Sequence, residues 1–452
     1  MKLRLNVLIR TFILIISLLS GSPQLSAQDL VQKDSALSWD LQTCLEYARK
    51  NNIQVNTLRF DQRLSEQDYL FAKASRLPTL NGSLTQSFTN SKNANPVVGG
   101  FQTQSSFAGN YSLNTGWTLY NGGYLRKNVE QQELFIQSAG LSVREAENDI
   151  TIQITQAFLN ILLAKENIVY LEDVLNTSRS QYKQADQRYQ AGAISKKDLL
   201  LLQSQVASDE YTLVNAHTSY RQNTVNLKQI LQIPSSINFQ AAEPDTVVAT
   251  EAIPTLEEAS RTALQNRPEV QNSQLGITIA EVELEKQRAL GRPSITLGGN
   301  ISTGYSDNQT TKFVPQLDNN FFQRLGVTVG IPIFNNRNVK TNVERSRIAI
   351  EQAKLTLLGT KTTLDQAVEQ AYIAVLNAQA QYTAAEVQLK ANEETYKITS
   401  GELELGAVNA LDLLLQKNLY VQAAQAFVQA KYNAVLSIKV YNFYTGVPVT
   451  LN

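Results

Sequence analysis

The 452-residue chain balances 40 basic against 40 acidic side chains and contains one His, one Cys and one Met. Such a balance offers no basic domain or stripe for a polyanion, which argues against nucleic-acid binding. His217 and Cys44 have no second Cys or His to work with, so a metal centre or an enzyme's nucleophile is poorly supplied.

The N-terminus has the form of an export signal. Lys2, Arg4 and Arg10 precede the apolar run Phe12–Leu19, and Leu25-Ser26-Ala27 is a small-residue cleavage site, which predicts a signal peptide over residues 1–27. The apolar run is shorter than the ~20 residues that a membrane-spanning helix needs, and no long apolar stretch follows it. An exported chain without a membrane helix is therefore expected.

Beyond the signal, the chain is written twice. Gly192 and Gly406, Asp198 and Asp412, Asn121 and Asn335, and Tyr182 and Tyr396 are each 214 positions apart, while Leu41/Leu256, Ala48/Ala263 and Pro78/Pro293 are 215 apart. A period this long exceeds any solenoid unit, so each copy is a large half of one body. Residues 28–240 form the first repeat and 241–452 the second.

Within each repeat a short helical segment leads to alternating sequence. Leu80, Gly82, Leu84 and Phe88 alternate with Asn81, Ser83, Thr85 and Ser87; Phe107 to Leu119 alternates likewise, as do Ile295 to Tyr305 and Leu325 to Ile333. This period of two, with one apolar face, predicts a β-hairpin over 78–120 and another over 293–334, of the kind found in transmembrane barrels. Their loops are expected at Thr89–Ser106 and Ser306–Asn320, where Asn, Gly, Thr and Ser dominate. Trp117, Tyr120 and Tyr124 gather at one strand end, as an aromatic girdle does.

Proline-free tracts follow, predicting long helices over 123–232 and 339–446. A single helix from Gly123 to Gln190 would be roughly 100 Å long at ~1.5 Å per residue, far more than most soluble domains use. Gly192 and Gly406 have the positions of helix C-caps; Ser195 and Asn409 are N-caps, each with an acid three residues on. Each repeat thus carries a helical hairpin whose tip lies near 191–197 or 405–411. Two β-hairpins make four strands, too few to close in lipid, so the barrel must be shared between chains, eight strands in a dimer or twelve in a trimer.

Taken in order and in duplicate, several motifs resemble the TolC-like outer membrane efflux family. They are Leu41–Asn52 and Thr255–Asn266 at the start of each repeat, Leu77-Pro78-Thr79-Leu80 and Arg292-Pro293-Ser294-Ile295 opening a strand, Leu119-Tyr120-Asn121-Gly122-Gly123 closing one, and the two glycine tips. The resemblance implies an internally duplicated α+β membrane protein. Its four transmembrane β-strands per chain complete a trimeric 12-stranded β-barrel, continued by a long α-helical barrel through the periplasm. It also implies an exit duct in the outer membrane, not an enzyme, that works with a periplasmic adaptor and an inner membrane transporter and has no cofactor.

Residue roles follow from the same resemblance. Asp412 matches a position where family members place an acid around the periplasmic constriction, and Asp198 is its twin. The tyrosine and arginine that hold that constriction shut fall on Leu403 and Val408, and a second acid falls on Leu415. Closure by apolar contacts of Leu403, Val408 and Leu415 is therefore expected, with small Gly192, Ala193, Gly406 and Ala407 meeting the adaptor. Both acids could also act only as helix caps. A secreted coiled-coil protein, or an adaptor, is the competing reading; the strands inside each repeat argue against both.

Overall fold

A computed structural model describes residues 37–94, 99–244 and 248–451; the predicted signal peptide lies outside the described residues. After a short strand β1 (Leu37–Trp39), Asp40 accepts the Thr43 amide at 2.8 Å and starts helix α1 (Leu41–Asn51). Asn52 then ends one helix and begins the next. Its backbone N–H donates to Ala48 while its side chain accepts from Val55, starting α2 (Ile53–Ala74). The second repeat makes the same break with Pro268 at the first helical position, between α5 (Leu256–Asn266) and α6 (Pro268–Ala289).

The remaining elements are β2 (Thr79–Ala94), β3 (Phe101–Asn121), α3 (Tyr124–Gln190), α4 (Lys196–Leu231), β4 (Phe239–Ala241), β5 (Ser294–Ser306), α7 (Phe313–Asn319), β6 (Phe322–Gly330), α8 (Asn338–Glu404) and α9 (Ala410–Tyr444). Helices α3 and α8 both have 67 residues, about 100 Å at ~1.5 Å per residue. Helix α4 folds back on α3, and α9 on α8, while α2 packs on α3 and α6 lies against both α3 and α8. No described helix is long and apolar enough to cross a membrane.

The core is concentrated partway along these rods. Leu41, Cys44, Leu45 and Ala48 of α1 meet Ile154, Phe158 and Leu162 of α3, Leu227 and Leu231 of α4, and Val435 of α9. The second repeat answers with a smaller cluster of Ala259, Ala263, Val368, Val375, Ile438 and Tyr441. Burial of Cys44 pushes its thiol up to about 12, so it is a packed apolar group and not a nucleophile. Strand β1 pairs in parallel with β4 beside this core.

Four strands form one antiparallel sheet in the order β2-β3-β5-β6, so the two repeats join at β3 and β5 and leave β2 and β6 as edges. The register assigns every side chain to a face. Leu80, Leu84, Phe88, Leu113, Trp117, Ile301, Leu325, Val327 and Val329 share one face and are exposed in the single chain. Asn81, Ser83, Ser112, Asn114, Asn300 and Ser302 share the other. From Tyr111 to Tyr120 is nine residues, ~30 Å along a strand, or about 23 Å of height at a tilt near 40°. That matches the ~25 Å apolar band of a membrane barrel.

The hairpins differ from expectation at their outer ends. Strand β2 runs to Ala94 and β3 begins at Phe101, so most of the expected 89–106 loop is paired strand, with 95–98 outside the described residues. The Asn, Ser, Thr and Gln there are polar on both faces, which erases the alternation that reveals a strand while leaving the backbone ladder intact. In the second hairpin the expected loop contains α7, and β6 ends at Gly330 instead of running through Ile333. Pro332 has no N–H for a ladder.

Candidate functional site

Both helical hairpins turn in the same way. Gly192 and Gly406 take φ of 76° and 78°, where a Cβ is strained. Around them Gly192 N–H donates to Tyr189 O and Ala193 N–H to Arg188 O, and Gly406 N–H donates to Leu403 O and Ala407 N–H to Glu402 O. These are paired C-terminal caps of the Schellman type. The next helices start on side chains: Ser195 Oγ accepts from Asp198 N–H at 3.1 Å, and Asn409 Oδ1 from Asp412 N–H at 3.1 Å. In return Asp198 Oδ2 accepts the Ser195 hydroxyl at 2.7 Å, and Asp412 Oδ2 accepts the Asn409 N–H at 3.5 Å. Both predicted acids therefore cap helices within their own tips.

The two tips of one chain enclose a cavity of about 480 Å³. Asp198, Ala193, Leu403, Gly406 and Val408 line it; Asp412 and Leu415 do not. Leu403 and Val408 are half-buried, whereas Leu415 is 58% exposed in the single chain. The chain thus brings Leu403 and Val408 to one intrachain surface and leaves Leu415 on another. Leu411 and Leu419 are exposed with it, at four-residue steps that put all three on one stripe of α9. At the 214-residue offset the first tip places exposed Lys197, then Leu201 and Gln205, where this stripe has its three leucines.

Sequence reasoning did not identify two connections between the hairpins. Arg188, at the end of α3, donates from Nη1 to Leu403 O at 3.2 Å and from Nη2 to Glu404 O at 2.9 Å. A guanidinium there adds donors to carbonyls at the end of α8, one of which already accepts the Gly406 N–H, and complements the negative pole of that helix. Further along, buried Lys417 of α9 reaches Asp209 of α4 at 2.5 Å and also donates to Ser178 of α3, whose hydroxyl in turn bonds Asp209. Gln205 holds the other Asp209 oxygen at 2.9 Å. Burial pushes the Lys417 ammonium below its ordinary value, and the Asp209 bond opposes that shift.

A periodic signal for this pair was present. Ala410, Leu413, Leu414 and Lys417 follow the spacing of a buried helical stripe, so the lysine stands where an apolar residue is expected. Asp209 occupies the matching place after Leu199 and Leu202 on α4. Neither has a counterpart in the other repeat, where Gln203 and Ala423 stand at the 214-residue offset.

The fold as a whole is shared with known proteins. The chain is 22% identical over 415 residues to the outer membrane efflux protein BepC of Brucella suis, covering 89% of this chain and 84% of the relative. Its fold matches CusC with a TM-score of 0.76 at 19% identity, covering 93% of this chain and 96% of CusC. It matches the Campylobacter jejuni CmeC outer membrane channel at 0.74 and 18% identity, over 94% and 92%. The sequence pattern of the outer membrane efflux proteins matches residues 44–231 and 259–438, one stretch in each repeat. The chain therefore belongs to the outer membrane efflux protein family and is an outer membrane channel reaching into the periplasm.

Proposed function

We propose that three copies close a twelve-stranded barrel and serve as the exit duct of a tripartite efflux or secretion system, joined to a periplasmic adaptor and an inner membrane transporter. The observation that carries this reading is the sheet: four strands with unpaired edges β2 and β6 and an apolar outer face cannot stand alone in lipid. Exposed Phe60, Leu64, Leu355 and Leu358 on α2 and α8 support a neighbour along the rods as well. Energy comes from the transporter, and the duct supplies a gated aqueous path.

The tips are the gate in this reading. Exposed Leu411, Leu415 and Leu419 on α9 support closure by apolar contact between copies, with Leu403 and Val408 packing the intrachain surface behind it. Asp198 and Asp412, held as caps, place two carboxylates per chain close to that constriction. Gly192, Ala193, Gly406 and Ala407 leave the tip surfaces bare for the adaptor; a Cβ at either glycine would meet nothing within 4 Å. Membrane fractionation and bilayer recording test this together. A heat-dissociable oligomer in the outer membrane and raised conductance in Leu415→Asp or Val408→Arg are expected; a soluble monomer overturns the duct, and unchanged conductance overturns the apolar gate.

A further inference from the structure

The inner face of the sheet is uncharged except at one position. Among the residues of β2, β3, β5 and β6 the charged side chains are Lys92 and Arg324. Lys92 pairs with Thr103 on the face that carries Leu80 and Phe88. Arg324 pairs with Asn300, Asn300 with Asn114, and Asn114 with Asn81, so one rung of the inner face reads Asn-Asn-Asn-Arg. Asn300 Nδ2–H donates to Asn114 Oδ1 at 2.6 Å along this rung. Arg324 has no ion pair among the described residues, and the four strands contain no Asp or Glu that could neutralise it from a neighbouring copy.

The rung lies at mid-depth. Asn114 is three residues from Trp117 and three from Tyr111, and the aromatic group of Tyr111, Tyr305, Phe107 and Phe313 marks the outer end. Twelve strands spaced ~4.8 Å apart and tilted near 40° give a Cα radius of about 12 Å. An arginine reaching ~6 Å inward leaves any passing ion within a Debye length, about 8 Å, of the guanidiniums. Low-dielectric walls focus such a field.

We propose that Arg324, repeated in three copies, forms a cationic ring in the lumen at the middle of the outer membrane that favours small anions and carboxylate-bearing solutes over cations. This rests on the trimeric duct proposed above. The ring belongs to the barrel and not to the tips, where the carboxylates of Asp198 and Asp412 are held. Charge selection at the exit is then opposite in sign to any exerted at the entrance.

Thiol labelling tests the ring without requiring an open periplasmic end. Cys44, the single native cysteine, is 0% exposed, so Asn114→Cys introduces one accessible thiol, two strands from Arg324 on the same rung. Labelling of that variant on intact cells by a sulfonate-bearing and a trimethylammonium-bearing methanethiosulfonate is compared with and without Arg324→Gln. The anionic reagent is expected to gain on the cationic one by on the order of tenfold when Arg324 is present, and Arg324→Glu to reverse the preference. Equal ratios in all three backgrounds, or no labelling in an intact oligomer, overturn the ring. Where the Asn114→Cys protein does not form the heat-dissociable oligomer, Ser112→Cys on the same face makes the measurement; absence of that oligomer in the unsubstituted protein overturns the duct reading instead.

Discussion

Lys417 Nζ lies 2.5 Å from Asp209 Oδ2 with both side chains withdrawn from water, so the return helix of the second repeat is tied by charge to that of the first. Removing one partner leaves a buried charge uncompensated, which typically costs about 3–5 kcal/mol, whereas replacing both by apolar groups is far milder. Lys417→Met is expected to speed amide exchange in α9 and to lower the temperature at which the oligomer dissociates. Lys417→Met with Asp209→Leu should recover most of that loss. Equal damage in the single and double variants would rule out the ion pair as the cause.

Arg188 acts at the tip itself, where its two bonds cap the end of α8 from the other hairpin. Charge-assisted bonds to carbonyls contribute roughly 1.5–3 kcal/mol each at most. Arg188→Ala should loosen residues 400–408 by about 2 kcal/mol in hydrogen exchange, while Gly192 and its neighbours stay protected. Arg188→Lys should restore only part of the effect, since one ammonium cannot span both carbonyls in the geometry of the planar fork.

Two glycines with similar backbone angles should respond differently. Gly406 has φ of 78° and open space at its Cβ position, so Gly406→Ala carries only the conformational penalty, about 1 kcal/mol. Gly122 has φ of 68°, and a Cβ there would come within 2.2 Å of Ala289 O. Gly122→Ala must move the backbone where β3 enters α3 and should abolish oligomer assembly. Semi-denaturing gels of the two variants separate these outcomes.

Cys44 supplies a pH dependence of known sign. Its thiol titrates at about 12 in the fold against an ordinary value of 9.0, because burial disfavours the thiolate. The folded state thus holds a proton that the unfolded chain releases, so stability is intact below pH ~9 and declines by up to ~1.4 kcal/mol per pH unit until about 12. Cys44→Ala should reduce the loss of thermal stability between pH 8 and 10.5 by the equivalent of about 2 kcal/mol. A parallel decline in both proteins would contradict this assignment.

Much of the plan was legible in the chain. The 214-residue offset, the proline-free tracts and the glycine–cap punctuation anticipated α3, α8 and both tips, because helix ends are decided by backbone hydrogen bonds that local residues satisfy. The strand cores from Leu80 to Phe88 and from Phe107 to Leu119 were readable because one face must be apolar. The outer ends of β2 and β3 were not, since a strand wetted on both sides carries no alternation. Arg188 and Lys417 escaped for a different reason: their partners lie in the other hairpin.

The sequence by itself determined a duplicated body, the helix lengths, the tip turns and a sheet with one apolar face, all consequences of propensity, periodicity and capping within a few residues. Only the tertiary structure decided that β3 joins β5, that Arg324 shares a rung with three asparagines, and that the buried Lys417–Asp209 ion pair is among the links between the otherwise matching repeats. Those outcomes depend on register and on packing between segments some two hundred residues apart, and no local preference encodes which distant side chain arrives opposite.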